Sequence, residues 1–222
     1  MKANFELIKE ITSGAAVIRE NNGFYEFFRM TDQQGDILKN INDFYMKSTA
    51  TSGIKMDFIT DAEALEFSGR FSEGSTRKFA YFDIYVNGVL VAHPGTADHL
   101  QNPDFAVSLP LNGKDNRVTI YFPCIANAAI KSFELINAAK IEPVKKNRKI
   151  LCYGDSITQG YDAQYPSFAY ANILADALDA PLTGLDISKE AVRCAAAKYK
   201  GKQWLCATAA HIPVEDGSVQ LL

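Results

Sequence analysis

The sequence predicts an all-β sandwich, jelly-roll-like, over residues 1–143, followed by a truncated α/β segment over residues 144–222. Three observations carry this. Up to Pro143, short apolar runs of strand length are separated by Asn-Gly and similar turn signals, with no long amphipathic helix among them. After Lys149 the pattern changes to strand-length runs that alternate with helical spacing. Between the two lies Lys145-Lys146-Asn147-Arg148-Lys149, a basic run that reads as a solvated linker.

The first half is built from hairpins. Residues 15–20 and 24–29 flank Asn21-Asn22-Gly23, and residues 82–86 and 89–92 flank Asn87-Gly88. Asn-Gly supplies the positive φ angles that a tight turn between twisted strands requires. In the second hairpin Asp83 and Tyr85 alternate with Phe82, Ile84 and Val86, which predicts one wet face and one buried face. Further strands are expected at residues 54–59, 64–71, 105–109, 118–122 and 130–136. The aromatic residues Phe24, Tyr25, Phe27, Phe28, Phe79, Tyr81, Phe82 and Tyr85 read as core and cross-strand packing in preference to a sugar-stacking platform. His93 and His99, in the loop after the second hairpin, read as surface residues.

In the second half, Ile150 to Tyr153 is an apolar strand that ends at Gly154-Asp155-Ser156. This delivers a serine hydroxyl to the rim of a sheet, where open α/β sheets place their ligands. Ser167 is placed to cap a helix that runs to about Leu178, with Tyr170, Ile173, Leu174, Ala177 and Leu178 on its apolar face. A strand over 182–187, a helix from Ser188 to Gly201, a strand over 203–207 and the beginning of another at 218–222 complete the expectation.

Composition excludes several classes. With 222 residues, 47% hydrophobic and 22% charged, the chain is an ordinary globular one with room for a sizeable core. The net charge of −3 gives no general attraction for nucleic acid or anionic lipid, so neither is an expected partner. No apolar run approaches the ~18 residues of a spanning helix, and the first ten residues are too polar for a signal peptide, so the expected location is cytoplasmic. Cys124, Cys152, Cys194 and Cys206 are widely spaced in apolar surroundings, without metal-ligand spacing, and read as buried core residues.

Gly154-Asp155-Ser156-Ile157-Thr158-Gln159-Gly160 resembles the first sequence block of the SGNH, or GDSL, hydrolases. The likeness runs on through Tyr161-Asp162-Ala163 and Pro166-Ser167-Phe168-Ala169-Tyr170 into the following helix. It implies a serine esterase with Ser156 as nucleophile, a small-molecule or carbohydrate ester as substrate, and no cofactor. Some members carry a β-sandwich ahead of the catalytic part, the order expected here. The family's later blocks, a glycine, an asparagine and an Asp-x-x-His, are not recognisable in this sequence. His211, the one histidine after Ser156, has Thr208 where the aspartate belongs.

Residues 182–222 are similar instead to the middle of class I S-adenosylmethionine methyltransferases, most of all the 23S rRNA guanine-N1 type. Gly184-Leu185-Asp186-Ile187 and Ala207 to Ser218 carry that likeness. It implies that Asp186 would accept hydrogen bonds from the ribose hydroxyls of S-adenosylmethionine. A carboxylate suits that role because its two oxygens match a vicinal diol. Asp186 also reads simply as a strand-end carboxylate. The glycine-rich loop expected after the first strand is replaced by the SGNH-like stretch, and Gln220 stands where that family has its later acid. The two likenesses meet between Leu178 and Leu182, as in a joined sequence. Three readings follow: an SGNH-type esterase impaired by its missing blocks, a methyltransferase-like nucleotide binder, and a noncatalytic carbohydrate-binding sandwich. The oligomeric state is left open.

Overall fold

The computed structural model describes residues 1–40, 44–146, 150–180 and 182–186. The expected helix after Ser188 and the strands at 203–207 and 218–222, with Cys194, Cys206, His211 and Gln220, lie outside the described residues. The strands are β1 (Thr12–Ser13), β2 (Val17–Asn21), β3 (Phe24–Phe28), β4 (Lys55–Thr60), β5 (Ala64–Glu73), β6 (Ala80–Tyr81), β7 (Asp83–Val86), β8 (Val89–Ala92), β9 (Gly95–Thr96), β10 (Asp104–Pro110), β11 (Asn116–Tyr121), β12 (Ala126–Ile136), β13 (Ile141–Pro143), β14 (Ile150–Tyr153) and β15 (Leu182–Asp186). The helices are α1 (Phe5–Ile11), α2 (Asp32–Leu38), α3 (Phe44–Ser48), α4 (Ser156–Gln159) and α5 (Tyr170–Ala177).

A mostly antiparallel β-sandwich precedes a small α/β region, as the sequence predicts. One sheet runs β1-β4-β11-β7-β8, with β13 also paired to β4, and the facing sheet runs β10-β5-β12-β3-β2. Both hairpins form at the expected turns. Asn22 and Gly23 have φ of 49° and 76°, and Asn87 and Gly88 have 51° and 80°, the left-handed pair such a turn needs. The strand reading passes over α1, α2 and α3, which are too short to register a helical period. Their caps are nevertheless written in the sequence. Asn4 accepts the N–H of Leu7, and Thr31 and Gln34 form a reciprocal capping box.

The core lies between the sheets and is aromatic. Phe27, Phe58, Phe67, Phe71, Phe82, Phe122 and Phe133 are fully buried there. Edge-to-face pairs recur, such as Phe27 with Phe122 at 5.0 Å and Phe67 with Phe82 at 5.4 Å. Each such ring removed from water contributes roughly 1.5–3 kcal/mol. A bulge at Lys131 preserves this core along the eleven residues of β12. Ala126, Ala128 and Ile130 point inward before it, and Phe133 and Leu135 after it, so the single extra residue resets the two-residue alternation.

The outer face of β4, β11 and β7 departs from expectation. Asp83 is expected on a wet face, yet it is buried, and so are Lys55, Asp57 and Tyr121 on the same side of the sheet. The α/β region packs on Lys55, Tyr121 and Asp83, while the Asp57 carboxylate is held by Arg117 and Thr119 of β11. Lys55 bonds Asp176 at 2.8 Å, the Tyr121 hydroxyl donates to the same carboxylate, and the Tyr85 hydroxyl donates to Ser167 Oγ at 3.0 Å. Burial, reinforced by Asp176, pushes the Tyr121 phenol well above its ordinary pKa. Within the basic run, the Lys146 side chain is buried and reaches Asp179 at 2.8 Å.

Candidate active site

Strand β14 ends at Gly154, and Asp155 follows in extended conformation as the cap of α4, its Oδ1 accepting the N–H of Ile157 at 2.9 Å. Ser156 is the first residue of α4. It is exposed, and its hydroxyl takes no hydrogen bond from the described residues. Gly154 is required here by contact. A Cβ at that position would sit 2.0 Å from Thr158 Oγ1, which is itself bonded to the Tyr170 hydroxyl at 2.7 Å. The serine turn is thereby tied to the start of α5.

Past the serine, the chain is fastened to the sandwich. Gln159 is 2% exposed. Its Nε2 donates to the carbonyl of Cys124 at 3.2 Å, and its own carbonyl accepts from Ser52 Oγ at 2.5 Å. Gly160 closes α4 at φ 85°, and a Cβ there would lie 2.9 Å from both Cys124 Sγ and Ala169 Cβ. Burial pushes the Cys124 thiol up to about 12. Thr76 and Tyr161 share a hydroxyl hydrogen bond, and Arg77 grips Asp162 through two nitrogens at 2.5 and 3.1 Å. That guanidinium holds the Asp162 carboxyl below its ordinary range.

A second polar centre lies beside the 3₁₀ turn Pro166–Phe168. Asp83 is wholly buried and accepts from Ser167 N–H at 2.7 Å, while its other oxygen meets His93 Nδ1 at 2.5 Å. Three expectations are corrected by this arrangement. Asp83 is not on a wet face, because the turn covers it. Ser167 is not the helix cap: Ala169 occupies that position without a side-chain bond, since Ser167 is spent on Asp83 and Tyr85. His99 is not a surface residue. It is 1% exposed, with its N–H and Nδ1 both turned to the carbonyl of Lys78. Helix α5 also shows the opposite face from the one expected. Ala171, Asn172 and Ala175 are buried, and Tyr170, Ile173 and Leu174 are exposed. The small residues permit close approach to Cys152 and Leu182.

β14 and β15 are parallel neighbours, with Tyr153 opposite Asp186. Asp186 therefore ends its strand on the same sheet edge as the serine turn. Cys124 and Cys152 are free and buried as expected. Among the described residues no group of His, Cys, Asp or Glu suits a metal ion, and no helix is long and apolar enough to cross a membrane.

The salicylyl-acyltransferase SsfX3 from a tetracycline biosynthetic pathway superposes with a TM-score of 0.65 at 19% identity, covering 78% of this chain and 50% of that one. A GDSL-like lipase from Bacteroides ovatus gives 0.59 at 16% identity, covering 85% and 59%. A family two carbohydrate esterase from Cellvibrio japonicus gives 0.52 at 17%, covering 79% and 49%. What they share with this chain is a fold. The chain spans about half the length of these neighbours.

The methyltransferase-domain family model matches residues 167–222. That match begins inside the stretch that also resembles the SGNH hydrolases, before the expected junction at 178–182. No curated protein matches the chain. Nucleotide approach at the first strand would need an open glycine, and Gly154 does not offer one, because Thr158 fills the space above it. The described residues thus do not fit S-adenosylmethionine at that loop. Sequence reasoning missed Asp83, His93 and Gln159. A buried acid opposite a loop histidine has no fixed spacing, and the one available signal was an acid placed among strand apolars.

Proposed function

We propose that this chain is an SGNH/GDSL-type serine ester hydrolase that acts on carbohydrate esters, acetyl esters foremost, with Ser156 as nucleophile. Residues 1–143 form its sandwich domain and residues 144–222 its α/β domain. The observation that carries the reading is the exposed, unengaged Ser156 hydroxyl at the C-terminal edge of a parallel strand. The acyl-transfer and ester-hydrolysing names of the structural neighbours support it, and the carbohydrate esterase among them supports the substrate class. In the reaction Ser156 Oγ attacks the ester carbonyl, and its own N–H is one donor to the developing oxyanion. The attack requires a base to take the serine proton. Within these 222 residues no Asp-x-x-His supplies one. Turnover therefore depends on another residue, in this chain or a second one, taking that proton; without one, loss of the base in a serine triad costs up to about 10⁶ in rate.

Fluorophosphonate labelling followed by peptide mass spectrometry tests this. An adduct on Ser156 that disappears in Ser156→Ala establishes an activated serine. No adduct, beside a labelled intact SGNH enzyme, reduces the turn to a structural element. The methyltransferase match favours a second reading, in which Asp186 holds a ribose. Saturating S-adenosylmethionine raises the melting temperature under that reading and leaves it unchanged under the first.

A further inference from the structure

Asp83 and His93 are not used by the proposed serine chemistry, yet they form a closely bonded pair. A carboxylate with no exposure is costly unless it is fully bonded. Asp83 meets that demand with Ser167 N–H and His93 Nδ1. The bond fixes the imidazole orientation and leaves Nε2 free of any hydrogen-bond partner among the described residues. The His93 side chain is 30% exposed. Its ring lies 4.0 Å from that of Tyr165 and 6.2 Å from that of Phe168, and the latter two are 6.0 Å apart at 87°. Phe168 is 56% exposed. Phe168 lies two residues before Tyr170, whose hydroxyl is bonded to Thr158 of the serine turn.

We propose that His93, Tyr165 and Phe168 form a subsite for a neutral pyranose ring of the substrate. An exposed aromatic face receives the C–H face of a sugar, and the adjacent Nε2 exchanges a hydrogen bond with a ring hydroxyl. Asp83 acts as a positioning residue that holds His93. The subsite rests on the carbohydrate-ester reading and adds the place where the sugar is gripped, apart from the serine.

Saturation-transfer difference NMR of the full chain with xylotriose and cellotriose tests it. Ring-proton transfer is expected from wild type and from Ser156→Ala. Phe168→Ala weakens binding about two- to tenfold, the scale of one aromatic contact, His93→Ala weakens it similarly, and Phe168→Tyr restores it. Circular dichroism melts confirm that the variants fold. Transfer that persists undiminished in folded Phe168→Ala and His93→Ala overturns the subsite. So does wild type that binds neither sugar. The hydrolase reading stands or falls separately, on the Ser156 adduct.

Discussion

The side chain of Gln159 leaves the serine turn to donate to the carbonyl of Cys124, on the loop between β11 and β12 of the sandwich, at 3.2 Å. With Ser52 bonded to the Gln159 carbonyl and Gly160 packed against the Cys124 sulfur, the turn is held by the sandwich as much as by its own strand. The sandwich therefore supports the serine turn directly.

Replacing Gln159 with Leu keeps the volume and removes the donor. The Cys124 carbonyl is then buried without that partner, a cost of about 1–3 kcal/mol. For a chain of this size that lowers the melting temperature by roughly 2–4 °C per kcal/mol. A calorimetric scan of the variant showing no change would mean that the seam contributes nothing to stability.

Gly160→Ala is expected to be more damaging. A residue with a Cβ costs about 1–2 kcal/mol at a left-handed position, and here the new carbon also meets Cys124 and Ala169 at 2.9 Å. Gly23→Ala provides the comparison. Its φ is similar at 76°, but nothing lies within 4 Å of an added Cβ. Denaturant midpoints that fall equally for the two variants would show that contact with Cys124 plays no part.

The thiol of Cys124 is sealed by the same packing. Burial holds its pKa up at about 12, so the thiolate is scarce at neutral pH. Iodoacetamide at pH 8, followed by peptide mapping, should leave Cys124 unmodified in the native protein and modify it in guanidinium. Rapid native labelling would contradict the packing described.

Much of the sandwich was legible because its devices are local. Asn22-Gly23 and Asn87-Gly88 dictate their turns, and the inward alternation of Met56 and Phe58 on β4 dictates a core. The outer face of that strand was not legible. Lys55 is an ordinary polar residue in sequence, and the docking of α5 covers it, as the turn at Pro166 covers Asp83 on β7. The serine turn was readable from seven consecutive residues. The Asp83 and His93 pair was not, because its third member, the Ser167 N–H, is brought in by tertiary contact and carries no side-chain signature.

The Arg77–Asp162 pair gives the seam a pH dependence. Hydrogen bonds from the guanidinium hold the folded-state pKa of Asp162 below its ordinary 3.8. The folded state then favours the ionised carboxylate more than the unfolded state does, so the pair's stabilisation is complete above about pH 4–5. It is lost as the pH falls through the lowered value. Asp179 behaves in the same way beside Lys146. Asp162→Asn should therefore lower the melting temperature relative to wild type at about pH 6, and by progressively less as the pH falls below about 4. Both partners are exposed, so 0.5 M salt should shrink the difference at the higher pH. Thermal melts across this range decide the matter. A gap between variant and wild type that stays constant with pH would show that Asp162 acts by packing and not by charge.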